Sequence, residues 1–434
     1  MKRGKVAVVG IWHLGAVISA CLSDLGHDIV GFDPDQQRVD KLNRGIAPLY
    51  EPELEESIRK NILLGRLHYD ADLRAVLKDS RYVIIAFDTP ISDQDEADLS
   101  PIMNTLSRSA PHLEDDCLLI ISSQVPVGSC EKFASVISMG KPSLRFGMAY
   151  VPENLRLGNA MRGFKQPDMV VIGSDDSSSH EKVDRLYSAI DAPRVKVSLR
   201  TAEMIKHAIN AYLGMQISFI NEIANLSDEL GIDALKVTEA MRLDSRIGSR
   251  VLKPGLGFAG GTLARDLRAL QKLGRTVGYE TDLVNSILKV NEGQNRIVVA
   301  KLRKICGSIH GLSVGVLGLA YKPGTSSVRR SASLEIIGEL IDCGAKVKAY
   351  DPKADIGDIQ GLTKFRLSSD PYAVAENSDV LIVATAWAEF KELEFRRIKS
   401  LMKRPVIIDA QNMLDPDELV RLGFTYVGIG RGHA

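Results

Sequence analysis

The chain has 434 residues, 45% hydrophobic and 25% charged, which is ordinary globular composition and argues against collagen, coiled-coil and disordered classes. Lysine plus arginine and aspartate plus glutamate number 55 each, so no bulk charge favours binding of nucleic acid or of an anionic membrane. At roughly 100–200 residues per domain, the length predicts two or three domains.

The amino-terminal residues lead directly into an apolar strand, without the apolar core of a signal peptide, and no apolar run approaches the length of a bilayer span. The five cysteines have neither CxxC nor metal-ligand spacing. We therefore expect reduced thiols, no metal site, no membrane contact and a cytoplasmic protein.

A βαβ pattern occurs twice, from Val6 to Pro34 and from Val314 to Pro352. Each copy has a β-branched run, a glycine turn, an amphipathic helix and a second strand that ends in Asp-Pro. The pattern predicts an α/β protein with two Rossmann-like, doubly wound parallel-sheet domains, joined by a long central helix and a helical middle domain. The predicted domains are residues 1–200, 201–300 and 301–434.

The middle segment is helical in pattern, with apolar residues at helical spacing from Ile205 to Leu226. A helix of this length must bury its apolar stripe against the flanking domains or against a second copy of itself. We expect a homodimer, or a higher homo-oligomer, through this helix.

The first glycine turn reads GIWHLG, from Gly10 to Gly15, and Asp33 closes the following strand. This spacing fits a dinucleotide site in which an acidic residue about 20 residues further on binds the ribose hydroxyls, and an aspartate there favours NAD over NADP. Trp12 stands where that pattern has its middle glycine. The alternative is a βα turn that binds no nucleotide.

Two further stretches could bind an anion. In the second βαβ unit, Lys322, Arg329 and Arg330 lie around a glycine turn before a helix, a composition suited to phosphate, although a solvated basic loop is the alternative. The stretch from Lys253 to Asp266 reads KPGLGFAGGTLARD, which indicates a backbone cradle that ends at a helix; its alternative is a flexible surface loop.

These stretches together resemble the UDP-glucose/GDP-mannose dehydrogenase family over essentially the whole chain. The resemblance is carried by GIAPLYEPEL, VPVG, VPENLRLGNA, AEMIKHAINAYLGMQISFINEIANL, SRIG, the glycine cradle, GLAYKPGTSSVR, ATAWAEF and GIGRG. It implies an NAD-dependent oxidoreductase that oxidises a hydroxyl of a nucleotide sugar, with an NAD domain, a dimerising centre and a nucleotide-sugar domain.

The resemblance also implies site residues. The cofactor site is expected at Gly10, Trp12, His13, Leu14, Gly15, Asp33, Arg38, Thr89, Pro90 and Gln124. Substrate contacts are expected at Glu153, Asn154, Leu155, Lys206, Asn210, Arg246, Phe258, Gly260, Gly261, Lys322 and Arg329. The catalytic residues are expected to be Lys206, Asn210, Asp266, Thr262 and Glu153.

The main departure from the family is Thr262, which aligns with a nucleophilic cysteine. A thiol is the better nucleophile for capturing an aldehyde and enabling a second oxidation. Gln124 and Leu157 also replace a threonine and an acidic residue of the family pattern. The sequence therefore predicts one two-electron oxidation of a UDP- or GDP-sugar to a keto or aldehyde sugar. The alternatives are a four-electron oxidation to a uronic acid, as in a UDP-glucose 6-dehydrogenase, and an inactive protein that binds nucleotide sugars.

Overall fold

The computed structural model describes residues 4–90, 97–248, 252–355, 357 and 364–432. The chain divides into two compact units, Met1–Ile209 and Asn210–Ala434.

The first unit contains an eight-stranded sheet with the order β3-β2-β1-β4-β5-β6-β7-β8. Neighbouring strands are parallel except β6 and β7, which pair antiparallel. The strands are β1 Lys5–Val9, β2 Ile29–Phe32, β3 Leu67–Asp70, β4 Ser80–Ile85, β5 Cys117–Ile121, β6 Phe146–Tyr150, β7 Val170–Gly173 and β8 Arg194–Val197.

Helices cover both faces of this sheet. In β1, Val6 and Val8 pack into one apolar cluster, whereas Ala7 and Val9 pack into another. A parallel sheet buried on both faces explains why its strands read as continuous apolar runs. The helices of this unit are α1 His13–Asp24, α2 Gln36–Asn43, α3 Leu54–Leu63, α4 Leu73–Leu77, α5 Ser100–Ser109, α6 Ser129–Gly140, α7 Ala160–Lys165 and α8 Ser177–Leu186.

A helix of 32 residues, α9 (Leu199–Leu230), begins in the first unit and ends in the second. The long central helix that the apolar spacing predicts is therefore present. Four further helices follow it: α10 Ala234–Leu243, α11 Thr262–Val277, α12 Asp282–Gln294 and α13 Arg296–Cys306. No helix among the described residues is both long enough and apolar enough to cross a bilayer.

The second unit contains a six-stranded parallel sheet with the order β11-β10-β9-β12-β13-β14. Its strands are β9 Ser313–Leu317, β10 Lys346–Tyr350, β11 Arg366–Leu367, β12 Val380–Val383, β13 Val406–Asp409 and β14 Thr425–Gly428. Its helices are α14 Ala332–Asp342, α15 Pro371–Ala375, α16 Phe395–Leu401 and α17 Pro416–Arg421. The predicted fold class is confirmed, and β1-α1-β2 and β9-α14-β10 are the two copies of the repeated unit.

Helix α6 obtains its amino-terminal cap from α9. No side chain of its own caps α6, but the fully buried carboxylate of Glu203 accepts the backbone N–H groups of Gly128 and Cys130 at 2.5 and 2.9 Å. This contact fixes the VPVG turn, because both N–H groups would otherwise be buried without an acceptor.

Replacing Glu203 by alanine should lower the free energy of unfolding by about 2–4 kcal/mol, since two buried N–H groups lose their acceptor. Urea unfolding followed by circular dichroism measures the change. Glu131→Ala is the control, because Glu131 forms an exposed ion pair with Arg200 on the same two helices. Equal, small effects of both substitutions would contradict the capping role.

Candidate functional site

The backbone geometry of the first glycine turn requires glycine at positions 10 and 15. Gly10 has φ +89°, and a Cβ there would lie 3.0 Å from the ring of Phe87. A Cβ on Gly15 would overlap the carbonyl oxygen of Gly10. Trp12 immediately precedes α1 and is 38% exposed, so the turn forms with an indole at its middle position.

Two carboxylates contact the first turn of α1. The Nε2 atom of His13 lies 3.1 Å from Glu51, and the backbone N–H of Leu14 donates to Oδ2 of Asp88 at 3.1 Å. Neither carboxylate is among the expected site residues, because each contact joins parts of the chain that are remote in sequence.

Glu51 connects the glycine turn to the loop before α7. Besides contacting His13, its buried carboxylate accepts the N–H groups of Gly158 and Ala160 at 2.8 and 2.7 Å. Burial alone would raise the pKa of Glu51, but these hydrogen bonds stabilise the ionised form and leave its pKa lowered.

The acidic residue at the end of β2 is in the position expected for binding a ribose. Asp33 is 3% exposed, and its Oδ1 accepts from Nη1 of Arg38 at 2.7 Å and from the backbone N–H of Asp35 at 3.0 Å. Thr89 donates to the carbonyl oxygen of Gln124 at 2.9 Å. The structure therefore brings together two predicted cofactor pairs, Asp33 with Arg38 and Thr89 with Gln124, beyond the carboxyl ends of strands in one sheet.

Lys206 is buried against the loop that follows β6. Its Nζ donates to the carbonyl oxygen of Glu153 at 2.8 Å and to Oδ1 of Asn154 at 3.0 Å. The neighbouring Leu155 packs against an apolar core cluster. Burial of the Glu153 carboxyl raises its pKa to about 7, although the Lys206 ammonium and the Tyr187 hydroxyl favour the ionised form. A carboxyl with such a pKa can gain or lose a proton near neutral pH.

In the second unit, the predicted pair Asn210 and Asp266 is in contact. Nδ2 of Asn210 donates to Oδ2 of Asp266, and both side chains are buried. Thr262 is the first residue of α11 and is exposed, one helical turn before Asp266. Asn210 follows Lys206 by one turn of α9, so both belong to the same face of that helix.

The glycine cradle is a fixed structure rather than a flexible loop, because side-chain amides bind its backbone. Asn291 accepts the N–H of Phe258 at 2.7 Å and donates to its carbonyl oxygen at 3.1 Å. Asn221 accepts from Gly255, Asn295 accepts from Gly257, and Gln294 donates to Gly255, at 3.0, 3.2 and 2.8 Å. None of these four amides is a predicted site residue; they lie on α9 and α12 or directly after α12.

The cradle also contacts the loop of the second βαβ unit. The N–H of Gly260 donates to the carbonyl oxygen of Arg330 at 3.1 Å, and a Cβ on Gly260 would lie 3.2 Å from the ring of Tyr321. Nζ of Lys322 lies 5.5 Å from the centre of the Tyr321 ring. The structure therefore brings Lys322 close to the cradle, whose last residue before α11 is Gly261.

The second glycine turn differs from the first in the role of its acidic residue. Asp351, which follows β10 as Asp33 follows β2, accepts the N–H groups of Leu319 and Ala320 at 2.7 and 2.9 Å and the indole N–H of Trp387 at 3.0 Å. Its carboxylate therefore accepts hydrogen bonds from the backbone N–H groups of its own glycine turn.

Two predicted substrate residues lie on the surface. Arg329 is exposed in the loop before α14. Arg246 follows α10, is also exposed, and forms an ion pair with Asp244 at 2.6 Å.

Known proteins match this chain over nearly its whole length. Three family models of the UDP-glucose/GDP-mannose dehydrogenase family match: the NAD binding domain over residues 4–191, the central domain over 200–293 and the UDP binding domain over 315–416. The UDP-glucose 6-dehydrogenase TuaD of Bacillus subtilis is 37% identical over 430 residues, covering 98% of this chain and 93% of that protein.

Two solved structures of nucleotide-sugar dehydrogenases also superpose on nearly the whole chain. A UDP-glucose dehydrogenase from Pyrobaculum islandicum superposes with a TM-score of 0.92 at 31% identity, covering 99% of this chain and 98% of that one. A UDP-D-ManNAc dehydrogenase from Pyrococcus horikoshii superposes with a TM-score of 0.89 at 26% identity, covering 99% of this chain and 100% of that one.

The predicted cofactor, NAD, is confirmed by the match to an NAD binding domain. The residues of the first unit fit it. The turn is tight enough that a Cβ on either glycine would clash with Phe87 or with the Gly10 carbonyl oxygen, α1 begins at the turn, and Asp33 directly follows the next strand. Asp33 would accept the ribose hydroxyls and would repel the 2′-phosphate of NADP.

Glu153→Gln should change the pH dependence of stability. The pKa of Glu153 is raised from 4.5 to about 7 in the folded protein, so this carboxyl contributes stability that is full below pH 4.5 and is lost as the pH rises to about 7. Relative to the variant, the wild type should therefore become less stable between about pH 5 and about pH 8. Urea unfolding at each pH measures the difference. Glu131→Gln is the control, and a wild-type advantage that grows with pH would contradict the assignment.

Proposed function

Because the chain belongs to the UDP-glucose/GDP-mannose dehydrogenase family, we propose that it removes a single hydride from a nucleotide-activated sugar and releases a keto or aldehyde sugar. The observation that carries this proposal is Thr262. It is exposed at the first residue of α11, the position where the family resemblance expects the cysteine.

The first oxidation requires that a C–H bond breaks, its hydride leaves, and the hydroxyl proton is removed as the C=O bond forms. Bound NAD supplies the hydride acceptor. We assign stabilisation of the developing alkoxide to the ammonium of Lys206 and the amide of Asn210. Lys206 is held by two acceptor oxygens and Asn210 by Asp266, so both donors are oriented before substrate arrives. Glu153 is suited to take up the proton, since its pKa is about 7.

A second oxidation in the expected family mechanism begins when a thiolate adds to the aldehyde. A threonine hydroxyl ionises far less readily than a thiol, so Thr262 is a poor substitute. Leu157 and Gln124 also replace an acidic residue and a threonine hydroxyl that the family resemblance expects. A secondary alcohol would be oxidised to a ketone, which needs no such capture.

The nucleotide is proposed to be a uridine diphosphate. The carboxyl-terminal match is to a UDP binding domain, and relatives at 32–37% identity are named UDP-glucose 6-dehydrogenases. Those names also favour the second candidate function, a four-electron oxidation to a uronic acid. The number of NADH molecules formed per sugar distinguishes the single oxidation from the four-electron oxidation.

A panel of UDP-sugars and GDP-sugars incubated with NAD should give one NADH per sugar consumed and a carbonyl product by mass spectrometry. Thr262→Ser should behave as the wild type, because it supplies no thiol. Thr262→Cys should add a partial second hydride transfer, limited by Leu157 and Gln124. Formation of two NADH and a carboxylate by the wild type would refute the proposal.

We also propose that a second copy of the chain covers α9. Within the second unit, Tyr212, Phe219 and Leu226 are 53%, 45% and 57% exposed and recur every seven residues, which places them along one side of the helix. An apolar row of this kind favours association with another apolar surface.

Sedimentation velocity at micromolar concentration should show a dimer or a higher oligomer, and Phe219→Glu should dissociate it, because the substitution places a charge in an apolar interface. Leu64→Glu is the control, since Leu64 is similarly exposed, at 54%, but lies after α3. A monomeric wild type would contradict the proposal.

A further inference from the structure

Asp88, which follows β4, contacts the first turn of α1. In dinucleotide-binding βαβ units, the diphosphate of the cofactor lies at the amino terminus of the first helix and accepts hydrogen bonds from its free N–H groups. In this chain, one of those groups already has an anionic partner, since Leu14 N–H, in the first turn of α1, donates to Oδ2 of Asp88 at 3.1 Å.

The backbone on both sides of Asp88 is fixed near the glycine turn. Asp88 follows β4, which pairs with β1 in the sheet. On one side, the ring of Phe87 lies against Gly10. On the other side, Thr89 donates to Gln124 at 2.9 Å. The carboxylate is therefore held beside α1 by its neighbours in the chain.

This contact has opposite consequences for the free and the cofactor-bound protein. A carboxylate at a helix amino terminus is favourable, because it accepts an N–H that has no partner within the helix and interacts well with the helix dipole. A diphosphate at the same helix end would meet a like charge and would compete for the same N–H. Like charges within a few ångströms oppose each other unless one of them moves or is neutralised.

We propose that Asp88 sets the affinity of the cofactor site: its carboxylate caps α1 in the free protein and must withdraw when the diphosphate of NAD binds, which weakens binding. The ligand in this proposal is NAD alone, and binding of the nucleotide sugar is not involved. A failure of this proposal is therefore distinct from a failure of the single-hydride proposal, because binding is measured without sugar or turnover.

The test is titration calorimetry with NAD and, separately, with ADP-ribose, which has the diphosphate but lacks nicotinamide. Asp88→Asn and Asp88→Ala should each tighten binding of both ligands by about three- to tenfold at low ionic strength. The gain should shrink in about 1 M salt, because mobile ions screen the repulsion. In the free protein, Asp88→Ala should lower the melting temperature, since the cap of α1 is lost.

Asp116→Asn is the matched control. It removes the same charge, but Asp116 is exposed and precedes β5, so it lies at the amino end of that strand, whereas Asp88 lies beyond the carboxyl end of the parallel neighbour β4. Its φ of +63° is also one that asparagine tolerates. It should leave the affinity for NAD unchanged. Unchanged or weaker binding of NAD by both Asp88 variants, with native circular dichroism, would overturn the proposal, as would an equal gain in Asp116→Asn.

Discussion

Buried or half-buried carboxylates that accept backbone N–H groups hold the loops on which the site depends. Glu51 joins the first glycine turn to the loop before α7, Glu203 caps α6, and Asp351 closes the second glycine turn. Burial of a carboxylate is costly unless hydrogen bonds compensate for the lost water. Each of these side chains meets that condition with at least two backbone N–H groups, so it fixes a loop rather than destabilising the fold.

The same interaction distinguishes the two copies of the βαβ unit. In the second copy, the carboxylate of Asp351 accepts two backbone N–H groups of its own glycine turn and so stabilises that turn. In the first copy, Asp33 contacts Arg38 and the backbone of Asp35 beyond the end of its strand, and Asp88, which follows β4, contacts α1 instead. The same βαβ pattern thus supports an NAD site in the first unit and a turn closed by its own acidic residue in the second.

The sequence predicted the parts of the molecule that depend on local patterns. The βαβ repeat, the long α9 and the glycines of the first turn follow from spacing and from backbone geometry. Asp88 and Glu51 could not be predicted, because Asp88 meets Leu14 across 74 residues and Glu51 meets Ala160 across 109. The amides around the cradle were missed for the same reason, since Asn291 reads as an ordinary polar residue of a helix.

The proposed single oxidation depends on the exposed hydroxyl of Thr262 at the start of α11, where the family resemblance expects a thiol. The most direct measurement is intact-protein mass spectrometry on enzyme quenched in acid during steady-state turnover with NAD and a sugar nucleotide that it oxidises. We predict the unmodified mass of the chain at every time point. A covalent adduct carrying the oxidised sugar nucleotide, on Thr262 or any other residue, would contradict it.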